Sequence, residues 1–297
     1  MKKGICLTAL YPQAMRDKSL LIELFKKIAG QGVFNCVEYY FEGSLKDISD
    51  IRRATDKLEL YTVYLAGFPM KAQAFDLSGK DEAKRIESVV FCKKLLMNAR
   101  NLGAKKMLIL SGPVWKEKQP ENVLSQMKKS ILELLAIRNH EDPQITLEFF
   151  NDMGEPYLAF GNINLVHQLL LEIQDDGFGV TFDTSHVAQL NEDVLSAYEI
   201  LGPWIHHLHL ANSVSKVETS PLYGDKHPLF GVKDGDFNED DMMHILQILK
   251  EGSFWKHLDV CSFEIISRKD KSQEDYFEGV TCQAEKIFLI FRPGRMK

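Results

Sequence analysis

The chain alternates short β-rich apolar runs with longer stretches of helical period, and it does so eight times. The runs at 4–10, 35–41, 58–67, 105–112, 145–150, 179–185, 205–211 and 259–266 read as strands. The stretches at 19–30, 44–55, 81–103, 120–139, 162–174, 191–201, 239–250 and 274–290 read as helices. In the first of these, Leu20, Leu21, Leu24, Phe25 and Ile28 fall on one face, and Gly103 is placed to stop the long third helix. Several strands are apolar throughout, as expected where both faces of a parallel sheet are buried. Strict alternation of this kind means an α/β fold, and eight units favour a closed (β/α)8 barrel over an open sheet. An open Rossmann-like sheet is the alternative, but no Gly-x-Gly-x-x-Gly follows any strand. No Pro/Gly-rich linker or low-complexity tract divides the chain, so residues 1–297 are expected to form one domain, a normal length for a single large barrel.

Composition narrows the function classes. Apolar residues make up 45%, enough for a sizeable core, and the formal net charge is −6 with acids and bases mixed along the chain. The absence of a basic block or stripe argues against nucleic acid as the default partner. The five cysteines, Cys6, Cys36, Cys92, Cys261 and Cys282, are odd in number and form no Cys-x-x-Cys, which fits reduced thiols in a cytoplasmic protein. The N-terminal "MKKGICLTALYPQ" mimics a signal peptide only weakly, because its apolar run is too short for an h-region, and it reads as a first strand. No segment approaches the roughly 18 apolar residues of a membrane span.

Four strands carry a metal-competent residue at or near the C-terminal end: Glu148 in "ITLEFF", Asp183 in "VTFDTSH", His209 in "HHLHLANS" and Glu264 in "CSFEII". In a barrel these ends converge on one mouth. A carboxylate inside an apolar run is costly to bury, and three sharing one site repel unless a cation balances them. Each residue alone has an ordinary reading. A glutamate can be a solvated rim residue, Asp183 can cap the next turn, and His209 can be a satisfied core histidine. Together, on consecutive strands at matching depth, the four point to one divalent metal held by three carboxylates and an imidazole. His207 shares the inner face with His209 but one layer down, and His206 points toward the helices, so both read as structural.

A second group follows. His186 lies three residues past Asp183, and a long loop over about 213–237, with Gly224, Gly231 and Gly235, carries Asp225 and His227. A loop of that length exceeds an idle connection. His186, Asp225 and His227 read as a second metal or substrate site, with a polar surface loop as the ordinary alternative.

The segments "LEFFN", "FDTSH", "HLHLANS", "DKH…G…DGDF" and "FEI" resemble, in order and spacing, the xylose isomerase-like TIM barrels. That superfamily holds sugar isomerases, ketose 3-epimerases, inosose-processing enzymes, hydroxypyruvate isomerase and endonuclease IV. The resemblance implies that Glu148, Asp183, His209 and Glu264 are the metal ligands of the epimerase branch and that His186 contacts substrate. It implies a metal-dependent sugar isomerase or epimerase acting on a small sugar, ketose or inosose. Glu148 and Glu264 would be its acid and base, moving a proton next to the carbonyl through an enediolate. Return of the proton to the same carbon gives epimerisation and to the adjacent carbon gives isomerisation, and the sequence does not choose. Three oxygens and one nitrogen do not select strongly among Mn, Zn, Co and Mg.

The stretch from His209 to His227 is also similar to endonuclease IV, where His186, Asp225 and His227 would match a third zinc site. Such a trinuclear cluster also needs histidines at strands three and four, where the chain reads "YLAGFPM" and "LILSGPVW". The usual Asp after the strand-seven histidine is Asn212. Around the mouth, Glu155 is a candidate for a sugar hydroxyl. Trp115 and Phe68 are candidates for an apolar wall, and Lys216 or Lys233 for an anionic substrate group, although no phosphate-binding glycine loop is recognisable. A small sugar is the expected partner, with no nucleic acid and no membrane, and a homo-oligomer is left open. The competing readings are a metal-dependent phosphodiesterase and a non-catalytic sugar-binding barrel.

Overall fold

A computed structural model of the chain describes residues 1–113, 120–150 and 160–291. Eight strands close into a barrel: β1 (Lys2–Cys6), β2 (Cys36–Tyr39), β3 (Tyr61–Leu65), β4 (Lys106–Ile109), β5 (Gln144–Glu148), β6 (Phe178–Asp183), β7 (Ile205–Leu210) and β8 (Val260–Phe263). Neighbours pair in parallel, and β1 closes the barrel by pairing with both β2 and β8. The helices that follow the strands are α1 (Lys18–Gln31), α2 (Leu45–Lys57), α3 (Glu82–Leu102), α4 (Pro120–Leu135), α5 (Ile163–Ile173), α6 (Val194–Leu201), α7 (Glu239–Glu251) and α8 (Gln273–Ile287). This is the expected (β/α)8 TIM barrel. No helix among the described residues is long and apolar enough to cross a membrane.

Local chemistry sets the helix limits. Asp81 accepts hydrogen bonds from the amides of Ala83 and Lys84 to start α3, and Gly103 ends it with φ 73°, a conformation that costs glycine nothing. Capping boxes open α2 (Ser44 and Asp47), α7 (Asn238 and Asp241) and α8 (Ser272 and Asp275).

The strands divide their two faces sharply. Val37, Met107, Leu147, Val180, Leu208 and Phe263 are buried, as are Phe25, Ile28, Leu96, Met127 and Phe277 of the helices, in one apolar core cluster. The barrel interior is instead polar on five strands, with Glu38, Thr146, Thr181, His207, His209 and Ser262 all at 0% exposure. The apolar runs therefore build the strand–helix layer, and on these five strands the interior carries hydrogen-bonding side chains.

All eight strands end before their apolar runs do, and at two of them a helical turn takes over at once. The first ends at Cys6, and Leu7–Leu10 forms a helical turn closed by the Tyr11 amide on the Leu7 carbonyl at 2.7 Å. The last pairs of this strand are Cys6 with Glu38 of β2 and Ile5 with Phe263 of β8. The sixth ends at Asp183, where a short helix (Thr184–Gln189) begins.

Gly4 makes the closure between β1, β2 and β8 tight: a Cβ there would lie 1.9 Å from Ser262 Oγ and 3.3 Å from Cys36 Sγ. Gly4→Ala is expected to destabilise the barrel by about 1–3 kcal/mol, the usual cost of an extra carbon in a close-packed interior. Urea unfolding checks this, and an unchanged midpoint would show that the seam has room.

Candidate metal centre and substrate pocket

The barrel brings Glu148, Asp183, His209 and Glu264 together at the C-terminal mouth. Glu148 and Asp183 end β5 and β6, His209 is one residue inside the end of β7, and Glu264 follows β8, its amide bonded to the Leu210 carbonyl at 3.2 Å. His209 Nδ1 lies 2.8 Å from Glu264 Oε2, 3.2 Å from Glu148 Oε1 and 3.7 Å from Asp183 Oδ2. One donor atom from each of the four lies within 4.8 Å of every other.

Asp183 divides its carboxylate between two tasks. Oδ1 accepts from the Ser185 amide at 2.7 Å, the Ser185 hydroxyl at 2.6 Å and the His186 amide at 3.1 Å, capping the short helix. Oδ2 is buried with no hydrogen-bond partner among the described residues and faces the cluster, and Glu264 Oε2 is in the same condition. The helix-cap and ligand readings of Asp183 are therefore compatible, one per oxygen. Orphaned, convergent carboxylate oxygens around an imidazole nitrogen fit a hard or borderline divalent ion.

His186 and His227 form a second group with Asp225. His227 Nε2 lies 2.7 Å from Asp225 Oδ1, 3.1 Å from Ser185 Oγ and 3.2 Å from His186 Nε2, and His186 Nε2 lies 3.4 Å from the same Asp225 oxygen. The two groups touch, with His186 Nδ1 3.8 Å from Glu148 Oε1 and His227 Nδ1 3.6 Å from Glu264 Oε2. The long loop is delivered to the mouth by pins at both ends. Asn212 Oδ1 accepts from the Phe237 amide at 2.9 Å and Asn212 Nδ2 donates to the Leu229 carbonyl at 3.1 Å. Asp236 accepts from the Ser213 and Ser215 hydroxyls, both at 2.7 Å. The Ile266 amide holds the His227 carbonyl at 3.1 Å, and His227 takes φ 36°, a sparsely populated region for a residue with a side chain.

The electrostatics record a shortage of positive charge. Burial, then the charge of Glu264, push the Glu148 carboxyl up. Burial would raise Asp183 too, but His186, His227 and His209 hold it below the usual carboxylate range. Burial works against an imidazolium at His227, yet Asp225, Glu264 and Asp183 push it up to about 10. His186 is raised against burial by Asp183, Asp225 and Glu148. His209 is raised well above its ordinary value against burial, with Cys6, Glu38 and Glu264 beside it. Burial keeps the Cys6 thiol itself protonated, so the negative charge next to His209 comes from the carboxylates. Each of these imidazoles is thus biased toward its charged form, the direction in which a bound cation would be replaced.

Glu148, His186, Asp225, His227 and Glu264 form one side of a cavity of about 260 Å³. Leu65, Phe68, Leu108, Leu110, Phe150 and Ile266 form the apolar wall, and the Phe150 ring lies over His186 with centroids 3.8 Å apart. Phe68 thus lines the cavity as the sequence suggests, and leucines stand at the ends of β3 and β4, where the chain has no histidine. Lys216 does not reach it: its side chain is exposed and lines a separate cavity with Asn191, Asp236 and Phe237. Lys233 is exposed. Among the described residues, Lys71 lines the mouth, from the helical turn after β3, which no strand-end pattern signals. Trp115 and Glu155 lie outside the described residues.

One buried acid at the centre escapes strand-end reasoning. Glu38, in the middle of "NCVEYYF", is bonded to His207 Nε2 at 2.7 Å and His209 Nε2 at 3.1 Å. Burial would raise it, but the two imidazoles hold it below the usual carboxylate range. The signal was a lone acid inside an apolar strand. A larger cavity of about 1350 Å³ lies elsewhere, lined by Arg52, Arg100, Lys106, Arg138 and His206, with none of the four convergent residues.

The family description that matches the chain is "xylose isomerase-like TIM barrel", over residues 25–279. No curated protein matches. Among solved structures, a D-tagatose 3-epimerase-like protein is 19% identical with a TM-score of 0.74, covering 98% of each chain. The IolI protein with a binding zinc atom is 15% identical with a TM-score of 0.75, covering 99% of this chain and 100% of that one. The 3-keto-D-glucoside 4-epimerase of E. coli is 14% identical with a TM-score of 0.71, covering 96% of this chain and 99% of that one. At these identities the likeness to solved structures is one of fold. The match over most of its length, on a closed eight-stranded barrel, makes this chain a member of the xylose isomerase-like TIM barrel family.

Proposed function

We propose that the protein is a divalent-metal-dependent sugar isomerase or epimerase that moves a proton next to a carbonyl of a small ketose, aldose or inosose. The observation that carries this reading is the approach of three carboxylate oxygens, from three other strand ends, to His209 Nδ1 at 2.8–3.7 Å. Glu148, Asp183, His209 and Glu264 would hold the ion. When bound, it supplies the positive charge that polarises a substrate carbonyl and its neighbouring hydroxyl.

The chain's own residues supply the rest. Glu148 and Glu264 approach the cavity from β5 and from the end of β8, so a sugar carbon between them has a carboxylate on either side. Glu148, raised by burial and by Glu264, is a stronger base than an ordinary carboxylate and is suited to accept a proton and to give it back. His186 Nδ1 has no hydrogen-bond partner among the described residues and is available to a substrate oxygen. Leu65, Phe68, Leu108 and Leu110 offer an apolar face to the C–H side of a sugar and shield the proton in transit from water. The sugar-epimerase names among the similar structures support the substrate class, and the zinc of IolI supports the ion.

His186, Asp225 and His227 favour a second ion as an addition to this reading. Two imidazole Nε2 atoms 3.2 Å apart, with a carboxylate oxygen 2.7 Å from one of them, are spaced as donors around a single metal. One ion per chain would leave His186 and His227 to the substrate, and two would assign them to metal. A phosphodiesterase is less well supported, because the β3 and β4 ends present leucines to the cavity. A non-catalytic barrel would bind sugar without exchanging its C–H protons.

Two measurements test the proposal. Glu148→Gln and Glu264→Gln are each expected to reduce solvent-deuterium exchange into a substrate ketose by at least about 10²-fold, with circular dichroism unchanged. Unaltered exchange in both would refute the two-base arrangement. Metal affinity should rise with pH, because His186, His209 and His227 are raised and must lose protons to bind an ion. The same shifts stabilise the chelated protein. For His227 that contribution is complete below its unfolded value of about 6.5 and is lost as pH rises toward about 10. Thermal unfolding of chelator-treated protein should therefore move to lower temperature between those limits, and metal should suppress the change. A pH-independent affinity would contradict the proton–metal competition.

A further inference from the structure

Glu38 has no part in the four-residue cluster, yet it is the most enclosed acid near it, at 0% exposure. Its strand, β2, is separated from β7 by β1 and β8 in the barrel order, so its contacts with His207 and His209 cross the interior. Both carboxylate oxygens are used, Oε1 on His207 Nε2 and Oε2 on His209 Nε2. An ionised carboxylate only accepts, so both Nε2 atoms must carry hydrogen. An imidazole that binds an ion is neutral and carries one hydrogen, so with Nε2–H on Glu38 the lone pair left for the ion is on Nδ1, the atom the three carboxylates surround. The His207 side is closed consistently: its Nδ1 meets the Thr181 hydroxyl at 3.1 Å, and Thr181 meets Thr146 at 2.8 Å. The other contact of His209 Nε2 is Cys6 Sγ at 3.7 Å, a weak partner that would not fix the ring alone.

We propose that Glu38 is a positioning residue: it reaches across the barrel to hold His209 as the Nε2–H tautomer and aims Nδ1 at the cation site. His207 is the second anchor, which keeps the Glu38 carboxylate from rotating away. The inference rests on the reading of Glu148, Asp183, His209 and Glu264 as that site. It assigns work to a strand that carries none of the four ligands. A ring held this way needs no reorientation when the ion arrives, which is why loss of such an outer partner commonly weakens metal binding by about 10–100-fold.

The test uses the full chain, zinc as the probe and two readouts. Calorimetric titration should show zinc binding to the wild type and a 10–100-fold weaker affinity in Glu38→Leu, which removes both acceptors. Glu38→Gln keeps one acceptor oxygen and should fall between them. Nitrogen-15 spectra of the zinc-loaded wild type should show His209 bound through Nδ1, with a downfield Nε2–H proton that exchanges slowly with water. That proton should move upfield in Glu38→Leu. Zinc on Nε2 in the wild type, or a folded Glu38→Leu that binds within about twofold of wild type, would overturn the inference. If Glu38→Leu does not fold, the wild-type spectrum and Glu38→Gln decide. Failure of the wild type to bind zinc would instead overturn the cation reading beneath it, and the inference with it.

Discussion

Three carboxylates from three strand ends converge on one imidazole nitrogen inside a closed barrel. Glu148 and Asp183 are buried there with His209, and Glu264 is nearly so. Like charges this close cannot all remain ionised without compensation. Within the described structure the compensation falls on His186, His209 and His227, whose imidazoles are all raised by the neighbouring carboxylates. The divalent ion proposed above would also satisfy the orphaned oxygens of Asp183 and Glu264. The rest of the mouth is arranged around that convergence. A helix cap fixes one oxygen of Asp183, a pinned loop fixes Asp225 and His227, and leucines close the side that carries no acid.

The barrel interior gives the convergence its rigidity. In many barrels the interior is filled by branched apolar side chains. Here Thr146, Thr181, His207 and Glu38 form a hydrogen-bonded chain that ends at His209. Such a network is stabilising only when its members are satisfied, and this one links β5, β6, β7 and β2 below the site. Core packing is left to the outer faces of the strands and the helices, so the apolar content of the chain and its polar interior are compatible.

Much of this was legible in the residues. The alternation of strand and helix periods located eight strands and eight helices, because each strand's outer face must be apolar to hold a helix. The convergence of Glu148, Asp183, His209 and Glu264 followed from acids and an imidazole placed at strand ends, where parallel strands in a barrel share one mouth. Strand lengths were overestimated, since the apolar turn Leu7–Leu10 has the composition of a strand but closes on itself through the Tyr11 amide and the Leu7 carbonyl. Glu38 was passed over because its partners lie 169 and 171 residues away, and only the barrel's closure shows that β2 faces β7. Lys216 and Lys233 were offered for an anionic group and both are exposed, for a related reason. Whether a loop lysine points into the mouth depends on how the loop is pinned, and Asn212 and Asp236 do the pinning.

The central claim is that one ion belongs among Glu148, Asp183, His209 and Glu264. Anomalous diffraction from a zinc-loaded crystal tests it most directly. The account predicts a peak about 2.0–2.2 Å from His209 Nδ1 and from one oxygen of each of the three carboxylates. Zinc bound elsewhere, with the four side chains dispersed and no anomalous density between them, would contradict it.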